Sequence, residues 1–211
     1  MKRPLILVGG GGHCESVIDV AESAGFTILG ILDIPENVGK DVLGYKIIGI
    51  DEDIPKYVND VDFIVTIGFI KNAKLRIRIH HLIESCGGSL ATIVASTAHV
   101  SRFASIEAGT VIMHQAVVNA GAIVGKGCII NTFANIEHDV VIRDYCHIST
   151  GAMVNGNCEI GNNTFLGSQS VVVNGISIIE GCVIAAGSMV RKNIIQHGVY
   201  SGNPATLKIK L

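Results

Sequence analysis

The chain carries little charge and almost no excess of either sign. Only 16% of its 211 residues are Asp, Glu, Lys or Arg, and the formal net charge is -2. Without a basic surplus there is no electrostatic footprint for nucleic acid. No apolar run is long enough to span a bilayer, and nothing resembling a signal peptide precedes the first apolar segment, so a cytoplasmic protein is expected. Six cysteines are present but no Cys-x-x-Cys pair. In the reducing compartment this implies, they are expected to be structural thiols, neither disulfides nor metal ligands. With 48% apolar residues, the chain can still bury a sizeable core.

What is there is a strict period of six. From Val94, every sixth residue is a branched aliphatic: Val100, Ile106, Ile112 and so on through Ile178, Ile184 and Val190. Four residues after each comes a second column, mostly small: Ala98, Ala104, Thr110, Ala116, and later Cys128, Cys146, Cys158 and Cys182. Cysteine in that column acts as a small hydrophobe. Six is the period of neither a helix nor a paired strand. It fits a solenoid of short strands and tight corners, three sixes to a coil, with one aliphatic turned inward from each side. Gly and Asn crowd the intervening positions, where corners demand positive φ.

Before the repeat, residues 4–9 read as a buried strand, and Gly9-Gly10-Gly11-Gly12-His13 opens a helix running to Ala24. A second strand covers 28–32 and closes with Asp33. Residues 34–50 read as a loop with a short hairpin, 51–58 as a short helix and 61–67 as a strand ending at Gly68. Asn72 caps a helix from 73 to about 86, and 89–94 is a last strand running into the first coil. This alternation predicts a small parallel α/β sheet over 1–93, a β-helix over 94–193 and a C-terminal tail over 194–211. The α/β domain is expected to cap one end of the helix and the tail the other. The glycine loop lacks the dinucleotide fingerprint, because the third glycine position is Cys14 or Glu15. NAD is thereby disfavoured, while phosphate at the helix N-terminus is not.

Histidines stand out among the outward positions: His99, His114, His138 and His147. The richest patch is Asn131-Thr132-Phe133-Ala134-Asn135-Ile136-Glu137-His138-Asp139. Ile136 points inward, so His138 lies outside near a corner with a carboxylate on each side. An imidazole oriented by a carboxylate is a general base for work near neutral pH. His147 follows half a coil later, on a different side of the prism. The two meet only if a second subunit brings its copy across. Outward Val111, Val117, Ile123, Ile129 and Val141 would give such a subunit an apolar face, so a trimer is expected.

The hexapeptide pattern resembles that of the left-handed β-helix acyltransferases. Three elements narrow the resemblance: the glycine run with His13, the Ile-Asn-Thr…Glu-His-Asp patch, and the tail Gly202-Asn203-Pro204-Ala205. Together they resemble the sugar acetyltransferases of the sialic acid O-acetyltransferase and bacillosamine N-acetyltransferase type, over essentially the whole chain. That resemblance implies a left-handed helix, acetyl-CoA as co-substrate, no metal, and a homotrimer with sites between subunits. It implies an acceptor that is a UDP- or dTDP-linked 4-amino-4,6-dideoxy sugar used for surface glycans. His138 matches the base and Asp139 the acid that orients it, with Glu137 on the other flank. His147, the Gly156 N–H, Asn203 and Pro204 fall on the acetyl-CoA side. Gly10, Gly11, Gly12, His13, Asp33, Gly68 and Asn131 fall on the nucleotide-sugar side, with Asp33 matching a residue that reads the nucleotide base. The chain departs from the family at Phe69-Ile70, where a more polar run is usual. The other readings are a sugar or sialic acid O-acetyltransferase, a trimeric β-helix carbonic anhydrase and a non-enzymatic nucleotide-binding scaffold. The carbonic anhydrase needs a third histidine at a spacing of five, where Arg143 stands.

Overall fold

The computed structural model describes residues 2–210. Met1 and Leu211, the outermost residues of the expected N-terminal domain and tail, lie outside the described residues. The N-terminal elements are β1 (Leu5–Val8), α1 (Gly12–Ser23), β2 (Ile28–Leu32), β3 (Asp41–Val42), β4 (Tyr45–Gly49), β5 (Asp62–Val65), α2 (Lys74–Ser85) and β6 (Ser89–Leu90). They form one sheet in the order β3-β4-β2-β1-β5-β6. All pairings are parallel except the β3–β4 hairpin. Every residue of β1 is buried, as a central parallel strand requires. Helix α1 buries Cys14, Val17, Ile18, Val20 and Ala21 on one side of the sheet, and α2 buries Ile79 and Ile83 on the other.

Four sequence expectations change in detail. The hairpin turns at Leu43-Gly44, both at positive φ, but its second arm is a full member of the sheet with Ile47 buried. The expected helix at 51–58 is a 3-10 turn, Asp51–Lys56, containing Pro55, which has no N–H to extend an α-helical ladder. The expected strand 89–94 divides: Ser89–Leu90 closes the α/β sheet, while Ile93–Val94 opens the β-helix. Helix α2 starts one residue later than expected, with Ala73 as its N-cap, so Asn72 lies just outside it, its Oδ1 accepting the Lys74 N–H at 2.8 Å.

From Ile93–Val94 to Met189–Val190 a two-residue strand recurs every six residues and pairs in parallel with the strand one coil on, as Val111 does with Ile93 and Ile129. The strands form three faces of a left-handed parallel β-helix. The first face carries the strands at 93, 111, 129, 147, 165 and 183, the second those from 99 and the third those from 105. From Ile112 onward the aliphatic column is buried and, with the Ala and Cys column, makes a single core. The corners hold positive φ at Gly121, Gly151 and Gly175, and also at Phe133, Asp139 and Asn157. The tail strand Val199–Ser201 extends the first face beyond Val183–Ile184, and Thr206–Ile209 folds back on it, covering that open edge.

The α/β domain is not an end cap. It lies along the first face, from Ile93 as far as Val183. Val111 and Ile129, expected to face another subunit, are fully buried beneath α1 together with Ile93 and Met113. Their outward position in the repeat is the same as that of Ile123, so only the packing partner tells them apart. Burying each contributes about 1.5–3 kcal/mol to docking. Arg76, fully buried, pins the junction: its Nε donates to the Gly127 carbonyl at 3.0 Å, and its Nη1 to the Val65 and Ile67 carbonyls at 2.6 and 3.1 Å. Burial lowers its pKa to about 10, so it stays charged at neutral pH.

Candidate active site

The glycine loop follows β1 and leads into α1, so its N–H groups and the positive end of the helix dipole face the same space. That space is a cavity of about 340 Å³ lined by Gly9 to Gly12, His13, Asp33, Thr66, Ile67 and Gly68, and also by Ile34, Asp51, Leu75 and Arg78. The loop is held tightly. The Thr66 hydroxyl donates to the Val8 or Gly9 carbonyl, and a side chain at Gly10 would meet the Asp33 carboxylate, 2.7 Å from the position of its Cβ. Asp33 itself is fixed by the Ile34 N–H (2.8 Å) and the Asn37 amide (2.9 Å). Asp51 and Arg78 were not among the residues expected from sequence. Asp51 had a signal, since it follows strand β4 closely, as Asp33 follows β2; Arg78 on α2 had none.

His13 carries the cavity toward the β-helix. Its ring centroid is 6.4 Å from that of His147, and its Nε2 is buried without a partner among the described residues. His147 is buried on the first face, its Nδ1–H donating to the Phe69 carbonyl at 2.9 Å. That bond leaves Nε2 as the acceptor, toward the Asn131 amide at 3.4 Å. Burial, with the Arg76 cation adding to it, lowers the pKa of His13 to about 3. Burial lowers that of His147 to about 4, against the pull of the Phe69 carbonyl. Both rings are therefore neutral hydrogen-bonding groups at physiological pH. The departure at Phe69-Ile70 has a structural use. Phe69 is buried against His147 and close to Phe165, while exposed Ile70 lines a second cavity of about 450 Å³ with His147, Ser149, Phe165, Gly167 and Ala185.

His138 lies one face away, on the corner between the second and third faces, half exposed. Its Nδ1 is 2.9 Å from Asp139 Oδ2. Asp139 sits at φ 58°, a left-handed corner conformation, and its carboxylate lies against the preceding ring. Glu137 is not part of that pair: its two oxygens accept the Asn119 and Asn135 amides, both at 2.9 Å. One coil above, Gly156 lies beneath the imidazole. A Cβ there would come within 2.6 Å of His138 Cε1 and Nε2. The Gly156 N–H has no acceptor among the described residues. Asn203 and Pro204 stand apart from these groups in the tail, where Pro204 lines a cavity of about 410 Å³ with Arg191, Lys192, Ala205 and Thr206. Lys192 occupies the same corner three coils after His138, about 14 Å along the helix axis.

A larger open groove of about 760 Å³ on the third face holds Glu107, Arg143, Asp144, Glu159 and Glu180. It has no histidine and no glycine loop, and Arg143 there is paired with Glu159 at 2.7 Å. Among the described residues no three of His, Cys, Asp and Glu converge to hold a metal ion.

Residues 4–83 match the PglD N-terminal domain, and residues 159–192 the hexapeptide repeat of succinyl-transferase. A mutant perosamine N-acetyltransferase from Caulobacter crescentus, in complex with CoA and GDP-perosamine, superposes with a TM-score of 0.91 at 26% identity, covering 97% of this chain and 96% of that one. The acetyltransferase domain of PglB from Neisseria gonorrhoeae, in complex with acetyl coenzyme A, gives 0.91 at 29% identity over 99% and 100%. A Staphylococcus aureus protein named "Putative acetyltransferase" is 43% identical over 51 residues; that match spans only about a quarter (26%) of the relative's length and 24% of this chain. The chain thus joins a PglD-type N-terminal domain to hexapeptide repeats, and over nearly its whole length it has the fold of these acetyltransferases. It resembles the sugar acetyltransferases whose α/β domain is of the PglD type, as its motifs suggest.

Proposed function

We propose that the protein transfers the acetyl group of acetyl-CoA to the amine of a nucleoside-diphosphate-linked amino sugar. The observation that carries this reading is the pairing of two separate devices: an anion-binding glycine loop that leads through His13 to His147 and Asn131, and an oriented histidine over a glycine with a free N–H. The first suits a nucleotide with its sugar turned toward the β-helix. The second suits attack on a thioester. His138 Nε2 takes the proton from the attacking amine, while Asp139 holds Nδ1–H and stabilises the imidazolium. The Gly156 N–H donates to the acetyl oxygen as negative charge develops there. His138 then returns the proton to the departing sulfur, and no acyl-enzyme is required. The four cysteines of the repeat are buried in the core, and burial pushes up the thiols of Cys146, Cys158 and Cys182, so these three offer no thiolate. Arg191 and Lys192 lie about a pantetheine's length along the same corner and can meet the phosphates of CoA, beside Pro204.

In one chain His138 and His147 occupy different faces, so the complete site needs His138 from a neighbouring subunit of a trimer. Both substrates are cytoplasmic metabolites, which places the reaction there, and among the described residues no helix is long and apolar enough to cross a membrane. The acetylated nucleotide sugar would supply glycan assembly. The test follows thiol release from acetyl-CoA with nucleotide-linked amino sugars, their hydroxy counterparts, and amino sugars without a nucleotide. Turnover is expected only with the first group. Equal turnover of the hydroxy sugars would favour O-acetylation, and turnover of free amino sugars would remove the nucleotide from the reading.

A further inference from the structure

The strand order of the α/β sheet arranges the cavity's groups in a line. The glycine loop follows β1, Asp33 follows the adjacent β2, and Asp51 lies just after β4, one strand further out. Thr66 to Gly68 follow β5 on the opposite side, where His13 leads to His147. Neighbouring strands are about 4.8 Å apart, so Asp33 lies roughly 5 Å and Asp51 roughly 10 Å to one side of the phosphate loop. On the reading proposed above, with diphosphate on the loop and sugar toward His147, the ribose passes Asp33, the residue the family resemblance assigns to the base, and the base reaches Asp51.

That far end is furnished for a planar ring. Ile34 and Leu75 are about half exposed and line the cavity, giving it aliphatic walls. The same cavity holds a carboxylate and a guanidinium that are barely engaged with each other: Arg78 Nη2 is 3.6 Å from Asp51 Oδ2, beyond hydrogen-bond length. Neither makes a hydrogen bond among the described residues, whereas Asp33 is held by two. Burial raises the pKa of Asp51 despite the nearby Arg78, the state of a carboxylate lacking donors.

We propose that Asp51 and Arg78 read the base, and that the base is guanine. A carboxylate offers two acceptors side by side. Guanine answers with N1–H and N2–H side by side, and its O6 next to them suits the Arg78 fork. Uracil and thymine have one ring N–H flanked by two carbonyls, and both carbonyls would face the carboxylate oxygens. Adenine and cytosine offer one amine and satisfy only one oxygen of Asp51. The acceptor is thus a GDP-linked sugar, not the UDP- or dTDP-sugar that the family resemblance implies.

The test is calorimetric binding of GDP, UDP, dTDP, CDP, ADP and xanthosine diphosphate to the intact protein, its Asp51→Asn variant and its Arg78→Ala variant. GDP should bind the unaltered protein about tenfold or more tightly than the other natural diphosphates. Asp51→Asn should lose that preference and bind xanthosine diphosphate better than GDP, because the amide now donates to the oxygen that replaces the 2-amino group. Gain of xanthosine binding also shows that the variant is folded. Arg78→Ala should weaken GDP. UDP, dTDP, CDP or ADP binding as tightly as GDP overturns the guanine assignment and leaves the nucleotide-sugar reading standing. A GDP preference unchanged in Asp51→Asn overturns the role of Asp51. Failure of every diphosphate to bind overturns both this inference and the reading beneath it.

Discussion

At the scale of single residues, the chemistry is set by which neighbour each side chain takes. Glu137 and Asp139 flank His138 symmetrically in sequence, yet only Asp139 reaches the ring. The corner forces Asp139 to positive φ and brings its carboxylate against the imidazole, while two amides claim Glu137. The sequence could show that a carboxylate would orient His138 but not which one, because that choice depends on a corner and on Asn119, one coil away. Asp51 and Arg78 were illegible as a pair for the same reason: they come from different elements and meet only across the cavity. Gly156 leaves no room for a side chain beside the imidazole. Gly156→Ala places a methyl 2.6 Å from His138 Nε2, so the ring must move away from its working position. Displacements of that order cost about 10²-fold in rate. Steady-state kinetics should show kcat down by about that factor with the KM for the nucleotide sugar little changed.

At the scale of elements, the period of six was plain because each coil repeats one physical requirement: an aliphatic inside and a small residue behind it. Where the α/β domain would sit was not plain. Val111 and Ile129 occupy the same outward position as Ile123, but they are covered by α1 while Ile123 is 44% exposed. The docked interface is sensitive to acid. His80 on α2 is buried against the β-helix, edge-on to Tyr145, with neither ring nitrogen partnered among the described residues. Burial lowers its pKa to about 2, and those of His13 and His147 fall to about 3 and about 4. Unfolded histidines titrate near 6.5, so below that pH the unfolded chain binds more protons than the folded one. The stability contributed by keeping these rings neutral is complete above about pH 6.5 and declines as the pH falls through the window down to the folded values. At pH 5 the loss is at most about 2 kcal/mol for each histidine. Urea unfolding between pH 7.5 and 5 should show this decline, and His80→Phe should flatten it. An identical slope in the variant would mean that His80 is not held neutral.

At the scale of the whole molecule, the proposed reaction needs two chains, each supplying half of a site. The glycine-loop cavity leads through His13 to His147 on the first face, and His138 stands at the opposite corner. Aromatic and aliphatic side chains remain uncovered beyond the first face: Phe103 is 65% exposed, Phe133 60% and Met153 46%. A neighbouring copy that covers them would also bring His138 to the foreign His147. Equilibrium sedimentation at micromolar concentration should therefore give three times the chain's 22.2 kDa. A stable monomer would leave the two histidines apart. The account as a whole rests on His138 as the group that takes the proton from the amine, and its most direct test is the His138→Ala variant. Single-turnover acetylation of the nucleotide-linked amino sugar should fall by about 10²–10⁴-fold, the usual contribution of general base catalysis, while the Kd for acetyl-CoA stays as it was. A transfer rate within a few-fold of the unaltered protein would contradict the account.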